Sequence, residues 1–114
     1  DQVLVQVSYA IGVAEPTSIN VETYQSSKID KTDGEISRII ENLFDMRPAA
    51  IEKSLKLRNP IYGETAAYGH MGRNPRTVTK KFSSPYSGEK SLEVELFTWE
   101  KLDYVEKIKK AFDL

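Results

Sequence analysis

The sequence predicts an α+β fold, in which a small antiparallel or mixed sheet carries helices packed on one face. Two segments near the N-terminus alternate apolar and polar residues with the period of two that is typical of strands. Residues 36–44 instead space their apolar side chains by three and four, as an amphipathic helix does. Strand-type and helix-type segments do not alternate regularly, which favours α+β over a parallel α/β architecture.

The N-terminal strand is predicted by apolar residues at the odd positions between Val3 and Ile11, with mostly polar residues between them. This alternation indicates a half-buried strand. A second strand over residues 19–23 shows the same pattern. The link between the two contains Gly12 and Pro16, whose turn chemistry predicts an antiparallel pair.

Two helices are predicted to follow. Thr32 and Glu35 have the spacing of a capping box, in which each side chain accepts a hydrogen bond from the other residue's backbone N–H. The apolar stripe of residues 36–44 then forms the first helix. Pro48 suits the first turn of a second helix, and the Asn-Pro pair at 59–60 is expected to end it.

The last third of the chain is expected to hold one irregular segment, one hairpin and one helix. Residues 61–73 are predicted to be irregular, with a short extended piece. Residues 77–82 and 91–96 alternate around a Ser-, Pro- and Gly-containing turn, which predicts a β-hairpin whose basic arm faces its acidic arm. A closing amphipathic helix is predicted from its apolar residues, Trp99, Leu102, Val105, Ile108 and Phe112.

Length and composition exclude several classes of protein. The chain has 114 residues, 16 basic and 17 acidic, so it suits one small domain and has no global charge that favours nucleic acid or an anionic membrane. No apolar run is long enough for a transmembrane helix, and the absence of cysteine excludes disulfides and cysteine-based sites. We therefore expect a cytoplasmic location. The chain opens on Asp-Gln-Val without an initiator Met, which we interpret as an excised piece.

Single residues give few signals of catalysis. His70 is the only histidine and lies between glycines, where a structural hydrogen bond in a tight loop is favoured over a role as base or ligand. Tyr24 and Lys28 have the Tyr-x-x-x-Lys spacing of some nicotinamide oxidoreductases. They follow a strand and lack the Gly-rich dinucleotide fingerprint, so we interpret this match as coincidence.

Charged residues are also better explained by structural roles. Glu15 and Glu22 show no defined acid–base spacing, and Arg47 is expected to bridge to a carboxylate or a helix end. A basic cluster with nearby aromatic residues can stack nucleic-acid bases, but the glutamates on the other arm favour a solvated hairpin. That cluster comprises Arg73, Arg76, Lys80 and Lys81, with Phe82 and Tyr86 beside it. No catalytic residue and no metal ligand is predicted.

Three phrases and a tail carry a resemblance to a known family. They are VQVSYAIGVAEPTSINVET at 5–23, FDMRPAAI at 44–51, TAAYGHMGR at 65–73 and FTWEKLD at 97–103. Together they resemble the C-terminal part of S-adenosylmethionine synthetases (methionine adenosyltransferases). The resemblance implies one domain of a three-domain, pseudo-threefold enzyme. It also implies a homo-oligomer, a dimer of dimers, whose partner domains are its own N-terminal and central domains.

The resemblance further implies the chemistry of the complete enzyme. ATP and L-methionine would be joined, with release of phosphate and pyrophosphate, and with the help of Mg²⁺ and K⁺. The family's catalytic and metal-binding residues belong to segments upstream, so neither ion is expected on this fragment. Only Ile11 matches a position that touches nucleotide, as an apolar wall near the adenine. The alternative is that Ile11 is the last inward residue of its strand.

The resemblance also implies roles for two surfaces. The strand that carries Val3, Val5, Val7 and Tyr9 is expected to meet partners in the intact enzyme, so the isolated piece should self-associate. Residues 1–114 are then a partial C-terminal domain with an inserted surface hairpin at about 74–96. Gln25 stands where this family commonly has glycine. Two alternatives stay open: an independent protein-interaction module that presents the 77–96 hairpin, and a non-catalytic nucleotide-binding domain.

Overall fold

The computed structural model describes all residues from 1 to 114, and they form two compact units. The first unit comprises residues 1–51 and 105–114, and the second comprises residues 52–104. Each contains one two-stranded antiparallel sheet. The predicted α+β class is confirmed, with two small sheets in place of one.

The first sheet pairs β1 (Leu4–Ser8) with β2 (Ser18–Glu22), as predicted. Thr17 donates its backbone N–H to Ser8 at 2.8 Å, which closes the link between the strands. The expectation that β1 is half-buried is wrong, because Val3 and Val5 are 61% and 40% exposed. Val21 on β2 is buried, because the following helix packs on β2.

Helix α1 (Asp33–Leu43) begins at the predicted capping box. Glu35 donates its N–H to the Thr32 hydroxyl, and the Thr32 N–H donates to the Glu35 carboxylate at 2.8 Å. The Asp33 carboxylate accepts from the Thr23 hydroxyl and N–H, and the Ser37 hydroxyl donates to the Ile19 carbonyl at 2.7 Å. These contacts fix α1 against β2, and Ile36 is buried there.

Helix α2 (Pro48–Ser54) has Pro48 in its first turn, as predicted. It ends before the Asn59-Pro60 pair, because Lys56 adopts a left-handed conformation with φ 54° that a helix does not tolerate. The one-turn helix α3 (Tyr62–Thr65) then forms where an irregular segment with an extended piece was predicted. Its Thr65 hydroxyl donates to the Ile61 carbonyl at 2.9 Å and is buried.

The second sheet is the predicted hairpin, with β3 (Arg76–Ser84) paired to β4 (Gly88–Leu96). Its predicted pairing of basic and acidic arms is wrong. Lys80 lies opposite Leu92 and Lys81 lies opposite Ser91, because the register places the glutamates of β4 against Ser and Thr. The ion pairs of this unit instead join each hairpin strand to other segments.

The core of the second unit includes the base of this hairpin. The fully buried side chains are Ile61, Val94, Leu96 and Phe97. Val78 and Trp99 pack against them. The expectation of a surface hairpin therefore holds for the exposed tip and is wrong for the base, whose side chains supply much of the core.

The C-terminal segment differs from the single helix predicted from Trp99 onward. Phe97 has φ 55° and precedes one turn of 3₁₀ helix at Thr98–Glu100, after which Lys101 is extended. Only Val105–Phe112 forms helix α4. Leu102, predicted on the apolar stripe, is 83% exposed because it lies between the two helices. None of the helices has the length and apolar character needed to cross a membrane.

Candidate functional site

A cleft of about 580 Å³ opens in the first unit where the FDMRPAAI phrase connects α1 to α2. Carboxylates, one guanidinium and apolar side chains line it together. Its acidic lining consists of Glu15, Glu41 and Asp45. Its apolar lining consists of Pro16, Ile19, Phe44 and Met46.

Arg47 is held rigidly at the edge of this cleft. Its Nε and Nη2 donate to the two oxygens of Asp45 at 2.9 and 2.6 Å, and Nε lies 3.8 Å from the Glu15 carboxylate. Hydrogen bonds from the Arg47 side chain and backbone lower the pKa of Asp45 to about 2. The same carboxylate raises the pKa of Arg47. The prediction that Arg47 bridges to a carboxylate is confirmed.

Tyr9, in the segment at 5–23, contacts the segment at 44–51. The Tyr9 hydroxyl donates to the Met46 carbonyl at 2.5 Å, across 37 residues of sequence. Tyr9 was predicted only as a member of the apolar strand face. Its ring is 42% exposed, and its hydroxyl anchors the segment that precedes α2.

Ile11 lies beyond the end of β1, in a turn that Val13 closes by donating its N–H to the Ala10 carbonyl at 3.1 Å. Gly12 in the same turn has φ 84°, a conformation that glycine adopts without strain. The Ile11 side chain is 107% exposed. The alternative that it is the last inward residue of its strand is wrong. Its assignment to an adenine wall stays a prediction.

The TAAYGHMGR segment contacts residues 97–100 in the second unit. His70 Nδ1 lies 2.6 Å from the Glu100 carboxylate, and its ring meets Trp99 edge to face at 6.2 Å. The Arg73 guanidinium lies 4.6 Å from the centre of the Phe97 ring and donates to the Ala67 carbonyl at 3.3 Å. The predicted hydrogen bond of His70 is confirmed, with Glu100 as its partner.

The predicted basic cluster is partly neutralised by a residue that the sequence did not single out. Glu64 on α3 accepts from Arg76 at 3.1 Å and from Lys80. Hydrogen bonds from Lys80 and then Arg76 lower the pKa of Glu64. No short-range spacing signals this contact, because the partners are 12 and 16 residues apart.

The structure places the remaining candidates in a turn, an exposed ion pair and a local hydrogen bond. Tyr24 lies in a turn with φ 52°, and Lys28 pairs with Asp1 at 2.9 Å, so the Tyr-x-x-x-Lys match does not lie on a helix. Glu22 accepts from the Tyr24 N–H at 2.9 Å. No group of three or more His, Asp or Glu side chains is placed to hold a metal ion.

Comparison with known proteins agrees with the phrases that suggested the family. The model of the S-adenosylmethionine synthetase C-terminal domain matches residues 1–82. S-adenosylmethionine synthases from Flavobacterium psychrophilum and Bacteroides thetaiotaomicron are each 68% identical over the whole chain, which covers 27% and 26% of their lengths. That from Cytophaga hutchinsonii is 66% identical over the same 114 residues. These alignments extend through the hairpin, and the chain spans about a quarter of each relative. The chain belongs to the S-adenosylmethionine synthetase family, and it corresponds to the C-terminal domain region of that family.

Proposed function

We propose that this chain is the C-terminal structural and interface domain of an enzyme that makes S-adenosylmethionine from ATP and L-methionine. The observation that carries the proposal is 68% identity along the whole chain to proteins named S-adenosylmethionine synthase, of which it covers about a quarter. In this proposal the chain shapes the enzyme and its subunit contacts. The bond-making groups belong to the rest of the polypeptide.

The side chains support a scaffolding role. The charged side chains singled out in the two units are engaged in intramolecular contacts: Arg47 with Asp45, and His70 with Glu100. The Thr23 and Thr32 hydroxyls donate to the Asp33 and Glu35 carboxylates, and both of these pairs are engaged at the start of helix α1. The isolated chain is therefore expected to be inactive.

Mg²⁺ and K⁺ would act elsewhere in the complete enzyme. In the first unit the carboxylates of Asp45 and Glu15 both lie within ion-pair distance of the Arg47 guanidinium, at 2.6 and 3.8 Å. A cation would have to displace that guanidinium, so the donor set of this chain does not fit either ion. We derive no metal-dependent step from these residues.

Ile11 is the residue we assign to the nucleotide. A fully exposed isoleucine on a tight, glycine-containing turn is placed to cover one face of an adenine supplied by a neighbouring domain or subunit. Apolar side chains typically form most of such a wall. This assignment gives Ile11 a contact with substrate and no part in proton or phosphoryl transfer.

The apolar face of β1 is the surface we assign to the enzyme's other domains or subunits. Val5 on β1 and Val3 just before it lie on one face of the strand, and they are 40% and 61% exposed although β1 is paired. Contiguous apolar exposure of this kind marks association surfaces. The partners proposed are the N-terminal and central domains and further copies in a dimer of dimers.

A chimeric enzyme tests the function. The corresponding C-terminal segment of the Flavobacterium psychrophilum synthase is replaced by this chain, and S-adenosylmethionine formation from ATP and L-methionine is measured. We expect activity from the chimera and none from the chain alone. A folded, inactive chimera would contradict the proposal, and turnover by the isolated chain would contradict its scaffolding role.

The nucleotide contact is tested in the same chimera. Ile11→Asp is expected to raise the KM for ATP about tenfold with a smaller effect on the KM for methionine, because it removes an apolar contact and adds a charge. Val13→Asp is the matched control, since Val13 is an exposed apolar residue of the same turn. Equal effects of the two substitutions would remove the assignment.

The interaction-module alternative makes a different prediction. If the 77–96 hairpin were the functional element, deleting its exposed tip would abolish the chain's interaction with its partner. The synthase activity of the chimera would then have no bearing on the function of the chain. Because the hairpin base supplies Val94 and Leu96 to the core, only the tip can be shortened without unfolding the unit. Tip deletion with activity retained supports the synthase domain over the module.

A further inference from the structure

The hairpin carries two chemically different faces. Because side chains alternate along paired strands, all three glutamates of β4 lie on one face. The other face continues outward from buried Val94 and bears Leu92, Phe82 and Lys90. Leu92 and Phe82 are 43% and 44% exposed. The apolar surface of the core therefore continues along the hairpin toward its tip, where it is open to solvent.

The charged residues on this face are all basic, namely Arg76, which pairs with Glu64 at the base of the hairpin, Lys80 and Lys90. Phe82 lies opposite Lys90 in the register, and Leu92 lies opposite Lys80, which is already paired with Glu64. Lys90 forms no ion pair within the chain. The hairpin therefore presents two apolar anchors and one available ammonium group, a combination that suits an acidic surface with an apolar floor.

The cleft beside Arg47 has that complementary character. Ile19, Phe44 and Met46 give it an apolar floor, and it carries more carboxylates than basic groups. Arg47 engages Asp45 and approaches Glu15, whereas Glu41 is exposed on α1 and has no ion pair. A volume of about 580 Å³ is within the range of pockets that enclose small ligands, so it accommodates a phenyl ring and an adjacent side chain.

We propose that the Phe82–Lys90–Leu92 face of the hairpin docks into the Arg47 cleft of a second copy of this chain, with Lys90 facing Glu41. We choose a second copy as the occupant because the hairpin face and the cleft are complementary in charge and both have apolar surfaces. One chain bears both surfaces, so each copy can supply what the other needs. The contact joins two different surfaces. In a dimer with a twofold axis, the contact between hairpin and cleft forms twice. If the assembly does not close, the same contact repeats from chain to chain along a filament.

Charge reversal tests the pairing. In a Val5→Lys background, which suppresses association through β1, sedimentation equilibrium measures self-association of single and double variants. Lys90→Glu and Glu41→Lys should each weaken association about tenfold, and the double variant should recover most of that loss. Lys81→Glu is the matched control, because it reverses the same charge on the opposite face of the same hairpin. Equal weakening by the control, no recovery in the double variant, or no concentration-dependent association would overturn the proposal.

Cross-linking gives an independent readout that does not need the Val5→Lys variant to fold. The chain has no cysteine, so two single-cysteine chains, Glu41→Cys and Lys90→Cys, can be mixed and oxidised. We expect a mixed disulfide-linked dimer to dominate over either homodimer. Glu89→Cys, one residue away on the opposite face, should give no such excess with Glu41→Cys. Homodimers of Lys90→Cys, or cross-linking by Glu89→Cys, would show that the tip meets a different surface.

The same cysteine pair distinguishes the docking from the proposed function. In the synthase chimera, failure to cross-link with activity intact would refute the docking alone. Loss of activity in every chimera, with cross-linking retained, would refute the proposed function alone. Phe82→Ser should reduce cross-linking at least about tenfold in both backgrounds, since it removes the central apolar anchor.

Discussion

The two sheets have the same construction and opposite relations to solvent. Each is a pair of antiparallel strands closed by a local turn. In the second sheet, Val94 and Leu96 are 2% and 0% exposed and meet Ile61 and Phe97. In the first sheet, Val5 of β1 and Val3 just before it lie in contact with solvent although they have the same strand-type pattern.

This difference separates two uses of apolar strand residues. The second unit encloses one core between Ile61, the hairpin base and the segment at Phe97, and it leaves Leu92 and Phe82 exposed farther along the hairpin. The first unit buries β2 under α1 and leaves β1 for a surface outside the chain. A period-two pattern predicts a strand with one apolar face, and it does not say whether the cover for that face lies in the same polypeptide.

Truncation in the second sheet should produce the largest loss of stability. Leu96→Ala removes a fully buried side chain and leaves a cavity, so we expect unfolding free energy to fall by about 2–5 kcal/mol. Urea unfolding followed by circular dichroism measures it. Leu92→Ala is the matched control on the same strand, where partial exposure limits the expected loss to about 1 kcal/mol. Equal losses would mean that the two leucines are equally buried in solution.

A charge at the exposed Val5 of β1 should change association and have little effect on stability. Val5→Lys places a charge on an exposed strand face, so we expect self-association to weaken by about tenfold or more while unfolding free energy changes by about 0.5 kcal/mol or less. Light scattering and urea unfolding measure the two quantities. Val21→Lys, at the residue opposite Val5, should instead unfold the unit because Val21 is buried. A monomeric wild-type chain at high concentration would contradict the assigned role of β1.

The dependence of the first sheet on α1 is tested at the helix start. Thr32→Ala removes the hydroxyl that accepts from the Glu35 N–H, and we expect a loss of about 1 kcal/mol, as for other N-cap residues. Thr32→Ser keeps the acceptor and should retain most of the stability. The measurement is thermal or urea unfolding of both variants. If alanine and serine behave alike, the capping box does not stabilise this helix.

The elements that the sequence predicted well are those determined by neighbouring residues. The capping box at Thr32, the first turn at Pro48 and the hairpin over β3 and β4 all depend on residues close in sequence. The errors come from tertiary context. Phe97 adopts φ 55° inside the core, which divides the predicted C-terminal helix. Lys80, which was expected to face the acidic arm of the hairpin, instead pairs with Glu64.

The candidate site shows the same limit. That Arg47 would meet a carboxylate followed from its position before Pro48, and the partner Asp45 is two residues away. The cleft did not follow, because Glu15 and Glu41 reach it from separate elements. The hydroxyl contact between Tyr9 and Met46 spans 37 residues, and period-two alternation carries no information about it.

Acid should weaken the second unit through Glu95. Hydrogen bonds from Lys101 and then Lys56 lower the pKa of Glu95 in the folded chain. A lowered folded pKa contributes stability that is present above the unfolded value of about 4.3 and is lost as pH falls through the folded value. Glu95→Gln should therefore be less stable at neutral pH and lose less stability between about pH 5 and pH 3. Glu93→Gln, at an exposed glutamate without an ion pair, should follow the wild-type pH profile.

The smallest predicted effect is a gain in stability, from a substitution in the turn that follows β2. Gln25 has φ 57°, and a side chain in this left-handed region costs about 1 kcal/mol relative to glycine. Gln25→Gly releases that strain but increases the entropy of the unfolded chain, so the expected net gain is about 0.5 kcal/mol. Gln6→Gly in β1 carries the same entropic term without strain to release, and should destabilise by about 0.5–1 kcal/mol. Opposite signs for these two substitutions, measured by urea unfolding, would locate the strain in the turn. A loss at both positions would show that the left-handed turn stores no strain that glycine relieves.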